Sequence, residues 1–286
     1  MTRKRKGKSQ DLLFFYVKNS IPLEYIWIRR IGVKRMKFKD ITVHIERIGE
    51  AGRAIIFLHG WGQNGQTFLP VIRELTKPYQ IYLVDLPGFG HSEEPKTAFT
   101  LDDYVELLET IIAHYQLKNP LIVAHSFGGR VAIRHASRYH TAGKLILSNS
   151  AGLKTKKTFR YYAMVNTYKV LKKLFSIQPL LKYRERVLRR FGSSDYKNAS
   201  PIMRQTLVHV VNEDLTEDLK QIVIPVLLFW GERDEVTPLY LAERMKALLH
   251  DSGLVIVKNG GHFAYLDDPF LLARVIEAFY PVEGLK

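Results

Sequence analysis

Short, wholly apolar runs recur along this chain, and stretches of helical spacing separate them. Ala54 to Leu58, Ile81 to Val84, Leu121 to Ala124, Lys144 to Leu147, Val226 to Trp230 and Leu254 to Val257 each read as a buried strand. Between them, Thr67 to Leu75, Arg130 to Tyr139 and Pro238 to Leu249 read as helices. Leu101, Tyr104, Val105, Leu108, Ile111, Ile112 and Tyr115 give one further helix a single apolar face, and Thr100 with Asp103 supplies its capping box. A closing helix runs from the cap at Asp268-Pro269 to Phe279. Strands that alternate with helices imply a mostly parallel, doubly wound α/β sheet covered on both faces. Ahead of this rhythm, Phe38, Ile41, Val43 and Ile45 alternate about a turn at Lys39-Asp40, as in an antiparallel hairpin.

The rhythm breaks between residues 153 and 221. No strand is predicted there, and apolar Tyr161, Met164, Tyr168, Leu171, Leu174 and Phe175 share a helical repeat with lysines on the opposite side. Leu180 to Phe191 continues with Lys182, Arg184, Arg186, Arg189 and Arg190, and Ser200-Pro201 starts a third helix through Val211. The expected organisation is a basic extension over 1–35, an α/β core over 36–152 and 222–286, and a basic helical cap over 153–221.

Composition adds charge to this picture. The 286 residues carry 43 Lys and Arg against 28 Asp and Glu, a net charge of +15. Such an excess either keeps the protein soluble or draws an anionic partner, an acidic substrate or an anionic membrane surface; nucleic acid is not expected. Thr2 to Lys8 is basic and Leu12 to Val17 apolar, but the apolar run stops at Lys18 without a cleavage pattern and is too short to span a bilayer. Residues 12 to 28 could lie as a helix on a membrane surface, so the expected location is cytoplasmic, peripheral on the membrane if that helix forms. The chain has no cysteine, which excludes disulfides, a thiol nucleophile and thiolate metal sites.

Candidate chemistry centres on Ala124-His125-Ser126-Phe127-Gly128-Gly129, at the join of a buried strand and a helix. A serine on a sharp strand-to-helix turn among small residues is a nucleophile elbow. Serine needs a base to take its proton and a carboxylate to orient that base. Asp234 follows one later strand, and His262, in Gly260-Gly261-His262-Phe263, follows the last. An earlier glycine-rich loop, His59-Gly60-Trp61-Gly62, also follows a strand. Serine, acid and histidine in that chain order resemble the serine-hydrolase, esterase- and lipase-like branch of the α/β-hydrolase fold family over residues 36 to 280, with Ala124 where the pattern has glycine.

The resemblance implies Ser126 as nucleophile, His262 as base, Asp234 as acid in preference to nearby Glu232, and the segment over 153–221 as a lid. It also implies an oxyanion hole built from the backbone N–H groups of Trp61 and Phe127. No pair of histidines has metal-ligand spacing with carboxylates, and no glycine-rich loop has the lysine of a phosphate loop, so neither metal nor cofactor is expected. The expected reaction is hydrolysis of a small-molecule carboxylic ester or related acyl bond through an acyl-enzyme. The same triad also serves carbon–carbon hydrolases of dienoates and peptidases, and a non-catalytic binding protein at a membrane surface is the alternative of another class.

Overall fold

The computed structural model describes residues 31–154, 166–167, 169–171, 173–176 and 194–282. Its sheet is built from β1 (Ile31–Phe38), β2 (Ile41–Ile48), β3 (Ala54–Leu58), β4 (Gln80–Val84), β5 (Leu121–His125), β6 (Lys144–Ser148), β7 (Val226–Gly231) and β8 (Ser252–Val257). The helices are α1 (Leu69–Arg73), α2 (Leu101–His114), α3 (Phe127–Arg138), α4 (Ser194–Asn198), α5 (Pro201–Val211), α6 (Thr216–Gln221), α7 (Leu239–Leu248), α8 (Ala264–Asp267) and α9 (Pro269–Phe279).

The eight strands lie in the order β1-β2-β4-β3-β5-β6-β7-β8. β2 is antiparallel to both β1 and β4, and from β4 to β8 along the sheet the strands run parallel to one another. The chain leaves β3 outward to β4, then returns to place β5 on the other side of β3. Loops that follow β3 and β5 therefore diverge, and this switch point opens a crevice at the carboxyl ends of the strands.

β3 and β5 are buried at every position because helices cover both faces. On one face, Ile55, Phe57, Leu121 and Val123 meet Phe68, Val71, Leu272 and Ile276. On the other, Ile56, Leu58, Ile122 and Ala124 meet Leu108, Ile111, Val131 and Leu241. Each of the larger side chains contributes roughly 1.5–3 kcal/mol by leaving water, so the central strands give a site a well-packed base.

The caps expected at Thr100, Ser200 and Asp268 all form, with each side chain accepting from the amide three residues on. The first strand begins at Ile31, earlier than its alternation suggests. As an edge strand it exposes Val33, Lys34 and Arg35, and only Met36 and Phe38 carry the apolar signal inward. The helix expected from Thr67 is instead a 3-10 turn, Gly65–Phe68, followed by α1. Tyr161, Met164 and Tyr168 of the expected helix over Tyr161 to Phe175, all of that over Leu180 to Phe191, and the basic and apolar stretches of residues 1–30 lie outside the described residues.

Between β6 and β7 the described residues hold only helices. α5 is tied to the core: Thr206 Oγ1 accepts the Phe99 amide at 3.0 Å, His209 Nδ1 lies 3.2 Å from the Phe99 carbonyl, and Met203 packs against Gly88 so closely that a Cβ there would be 2.4 Å from its sulfur.

Candidate active site

β5 ends at His125 and α3 begins at Phe127, so Ser126 alone makes the turn, at φ 48° and ψ −109°. A non-glycine residue held there stores about 1–3 kcal/mol of strain. Its backbone is held on both sides, since the Ser126 amide donates to Ser148 at 3.2 Å and its carbonyl accepts from Gly129 at 3.1 Å and Ala151 at 3.0 Å. The small residues around it are a steric requirement. A Cβ on Gly128 would lie 2.4 Å from the Leu58 carbonyl oxygen, and one on Gly129 would lie 1.9 Å from Ser150 Oγ.

Residues from three strand ends meet at this turn. His262 Nε2 is 3.1 Å from Ser126 Oγ, and His262 Nδ1 is 2.9 Å from Asp234 Oδ2 and 3.1 Å from Asp234 Oδ1. The carboxylate fixes the tautomer: Nδ1–H donates to Asp234, leaving Nε2 as acceptor for the serine hydroxyl. The loops carrying acid and base are themselves paired, because the Arg233 amide donates to Gly260 at 2.8 Å and a Cβ on Gly231 would be 2.1 Å from the Gly261 oxygen. Glu232 turns away from His262 and accepts the Asn259 amide at 2.9 Å.

Asp234 is buried and amply hydrogen-bonded. Burial would raise its pKa, but donation from His262, Thr237 and Asn149 outweighs that and holds the carboxyl at about 2. Thr237 donates through its amide at 3.0 Å and its hydroxyl at 2.6 Å, the Val236 amide at 2.8 Å and Asn149 Nδ2 at 2.7 Å. The indole of Trp230, buried in β7, donates to the Thr237 carbonyl at 2.6 Å and so fixes the far side of this loop. Asn149 and Thr237 escape a reading of the sequence for triad members. Their only sequence signal is position, directly after β6 and just after Asp234.

The loop after β3 lies over the elbow. A Cβ on Gly60 would be 3.3 Å from Ser126 Cβ and 2.9 Å from the His125 ring, which places Trp61 beside the nucleophile turn. The Trp61 and Phe127 rings meet edge to face with centroids 5.4 Å apart. Among the described residues, neither the Trp61 nor the Phe127 amide donates to a protein acceptor. His59 shapes the loop from beneath: Nδ1–H donates to the Gly60 carbonyl at 2.7 Å and Nε2 accepts the Leu86 amide at 2.9 Å. Burial lowers its pKa to about 4, so the ring stays neutral and both bonds persist at neutral pH. His125, buried behind His262 with ring centroids 4.9 Å apart, is likewise lowered to about 3, chiefly by burial.

A family model described as the alpha/beta hydrolase family matches residues 55–275. The chain belongs to this family. The AB hydrolase superfamily protein YisY of Bacillus subtilis is 30% identical over 263 residues, covering 84% of this chain and 96% of that protein. The pimeloyl-acyl-carrier-protein methyl ester esterase of Shewanella woodyi is 30% identical over 217 residues, 69% of this chain and 81% of that one. Among solved structures, a bacterial membrane phospholipase A superposes with a TM-score of 0.71 at 23% identity, covering 94% of this chain and 90% of that one. The strand order and elbow are thus those of an α/β hydrolase, and the chain is a hydrolase. No helix among the described residues is long and apolar enough to cross a membrane.

Proposed function

We propose that this hydrolase is a serine esterase that cleaves a small-molecule carboxylic ester through an acyl-enzyme. The observation that carries the reading is the unbroken hydrogen-bonded line from buried Asp234, through His262, to Ser126 Oγ at 3.1 Å. Ser126 Oγ attacks the ester carbonyl carbon while its proton passes to His262 Nε2. Asp234 remains a carboxylate and stabilises the imidazolium by accepting Nδ1–H, a role that a pKa of about 2 supports. The tetrahedral oxyanion accepts from the amides of Trp61 and Phe127, the latter at the positive start of α3. Collapse expels the alcohol, which takes the proton from Nε2. Water then attacks the acyl-enzyme with His262 as base, and Ser126 leaves with the proton returned. No step calls for a metal or cofactor.

The methyl ester esterase relative supports an ester over the carbon–carbon or peptide bond. Residues 153–221 act as a cap over this site, and the attachment of α5 to the loop around Gly88 and Phe99 supports that assignment. The test is labelling with a fluorophosphonate probe, alongside hydrolysis of a short and a long p-nitrophenyl ester. Labelling and turnover that vanish together in Ser126→Ala are expected; labelling that survives in Ser126→Ala overturns the assignment.

A further inference from the structure

Away from the triad, a second group of chemically capable side chains converges among the described residues. His44 on β2 and Asp85, just past β4, are buried, and His91 stands on the outer side of the same loop. Asp85 Oδ2 lies 3.1 Å from His44 Nδ1 and 3.3 Å from His91 Nδ1, and the three potential ligand atoms lie within 4.8 Å of one another. We propose that His44, Asp85 and His91 form a binding site for a first-row divalent metal ion, with zinc as its best-suited occupant.

Two imidazoles and one carboxylate suit zinc, with water completing a tetrahedron. Bonds of about 2.0–2.2 Å in a tetrahedron separate ligand atoms by about 3.4 Å. Both separations from Asp85, 3.1 and 3.3 Å, already approach that value, so the remaining adjustment lies between the two imidazoles. His91 can make it, since its side chain is 65% exposed.

The rest of the site is built in advance. Asp85 Oδ1 accepts the Gly65 amide at 2.7 Å and Oδ2 accepts the His91 amide at 2.8 Å, which orients the carboxylate before any ion arrives. The His44 amide donates to Ser92 Oγ at 2.8 Å, and its carbonyl accepts the Asp85 amide at 3.0 Å, so strand and loop are locked in register. The ion would brace the loop that meets His59 through the Leu86 amide and α5 through Gly88. The sequence hides the trio because its members come from the middle of β2, the residue after β4 and the loop beyond it.

The test is isothermal titration of the chelator-treated full chain with zinc chloride, with melting temperature measured in parallel. One zinc per chain and a higher melting temperature are expected. His91→Ala, at an exposed position, should bind at least ~10- to 100-fold more weakly, the loss that even an outer-sphere partner produces. His44→Gln, which can still donate to Asp85, should weaken binding likewise. Absence of saturable binding, or equal binding in His91→Ala, overturns the proposal, the latter by placing zinc on other histidines.

Discussion

Asn149 Nδ2 donates to Asp234 Oδ2 at 2.7 Å while lying 3.2 Å from the carbonyl of Gly261, the residue before His262. One buried amide group thereby joins the loops of acid and base. Asn149 holds a left-handed backbone, φ 45°, that suits an asparagine directed back into the site. Asn149→Ala removes a hydrogen bond to a charged group, worth about 1.5–3 kcal/mol, so ester kcat/KM is expected to fall by roughly 10- to 100-fold in a folded protein. Wild-type kcat/KM in that variant would mean that Thr237 and the Val236 amide suffice to hold the carboxylate.

Asp234→Asn keeps the shape of the acid but presents a donor or a neutral acceptor to His262 Nδ1. The tautomer with Nδ1–H is no longer enforced, and kcat is expected to fall by about 10⁴-fold. Glu232→Gln, at a side chain turned toward the Asn259 amide, leaves the line to Ser126 intact. Steady-state kinetics of the two variants distinguish the acids, and a larger loss in Glu232→Gln would reverse the assignment.

Two buried histidines make stability fall in mild acid. Burial lowers the His125 pKa to about 3 and that of His59 to about 4, both from 6.5. Below pH 6.5 the unfolded chain binds protons at these positions that the folded chain does not, so their contribution is full above 6.5 and is lost as pH falls toward the folded values. At pH 5 the loss is about 2 kcal/mol per histidine at most. Asp234, lowered from 3.8 to about 2, adds its own loss only between those two values. Urea unfolding at pH 7 and pH 5 should show a shallower pH dependence in His125→Gln than in the wild type. Equal dependence would show that His125 titrates alike in both states.

Gly128→Ala places a methyl group 2.4 Å from the rigid Leu58 carbonyl in β3. Overpacking of this kind costs about 1–3 kcal/mol, and a chain of this size loses roughly 2–4 °C per kcal/mol. A melting temperature several degrees lower is expected, with fluorophosphonate labelling reduced as the elbow shifts. An unchanged melting temperature would mean that β3 and α3 can separate at no cost.

The net charge of +15 should steer anionic esters toward the site by long-range attraction. Their kcat/KM is expected to fall as salt rises from low to physiological strength, while a neutral ester of the same size changes little. A flat response for both would leave the charge without a part in substrate capture.

Much of this molecule is legible in its sequence because the physics involved is local. Continuous apolar runs such as Leu121 to Ala124 can satisfy only a strand buried on both faces, and the caps at Thr100, Ser200 and Asp268 form within a single turn of chain. Ser126 stands out for the same reason, since a strained turn demands small neighbours and Gly128 and Gly129 supply them. Edge strand β1 is blurred by its exposed Val33, Lys34 and Arg35, where no burial imposes a pattern.

What the sequence by itself determined is thus the order of strands and helices, the elbow, and the identity of Ser126, Asp234 and His262 as residues placed after strands. Tertiary structure decided which groups touch: that Asp234 and not Glu232 faces His262, that Asn149 and Thr237 hold the carboxylate, and that His44, Asp85 and His91 converge. The reason is that the sheet sets strands from distant parts of the chain side by side. Contacts across it follow from strand order and register, which no local pattern of residues encodes.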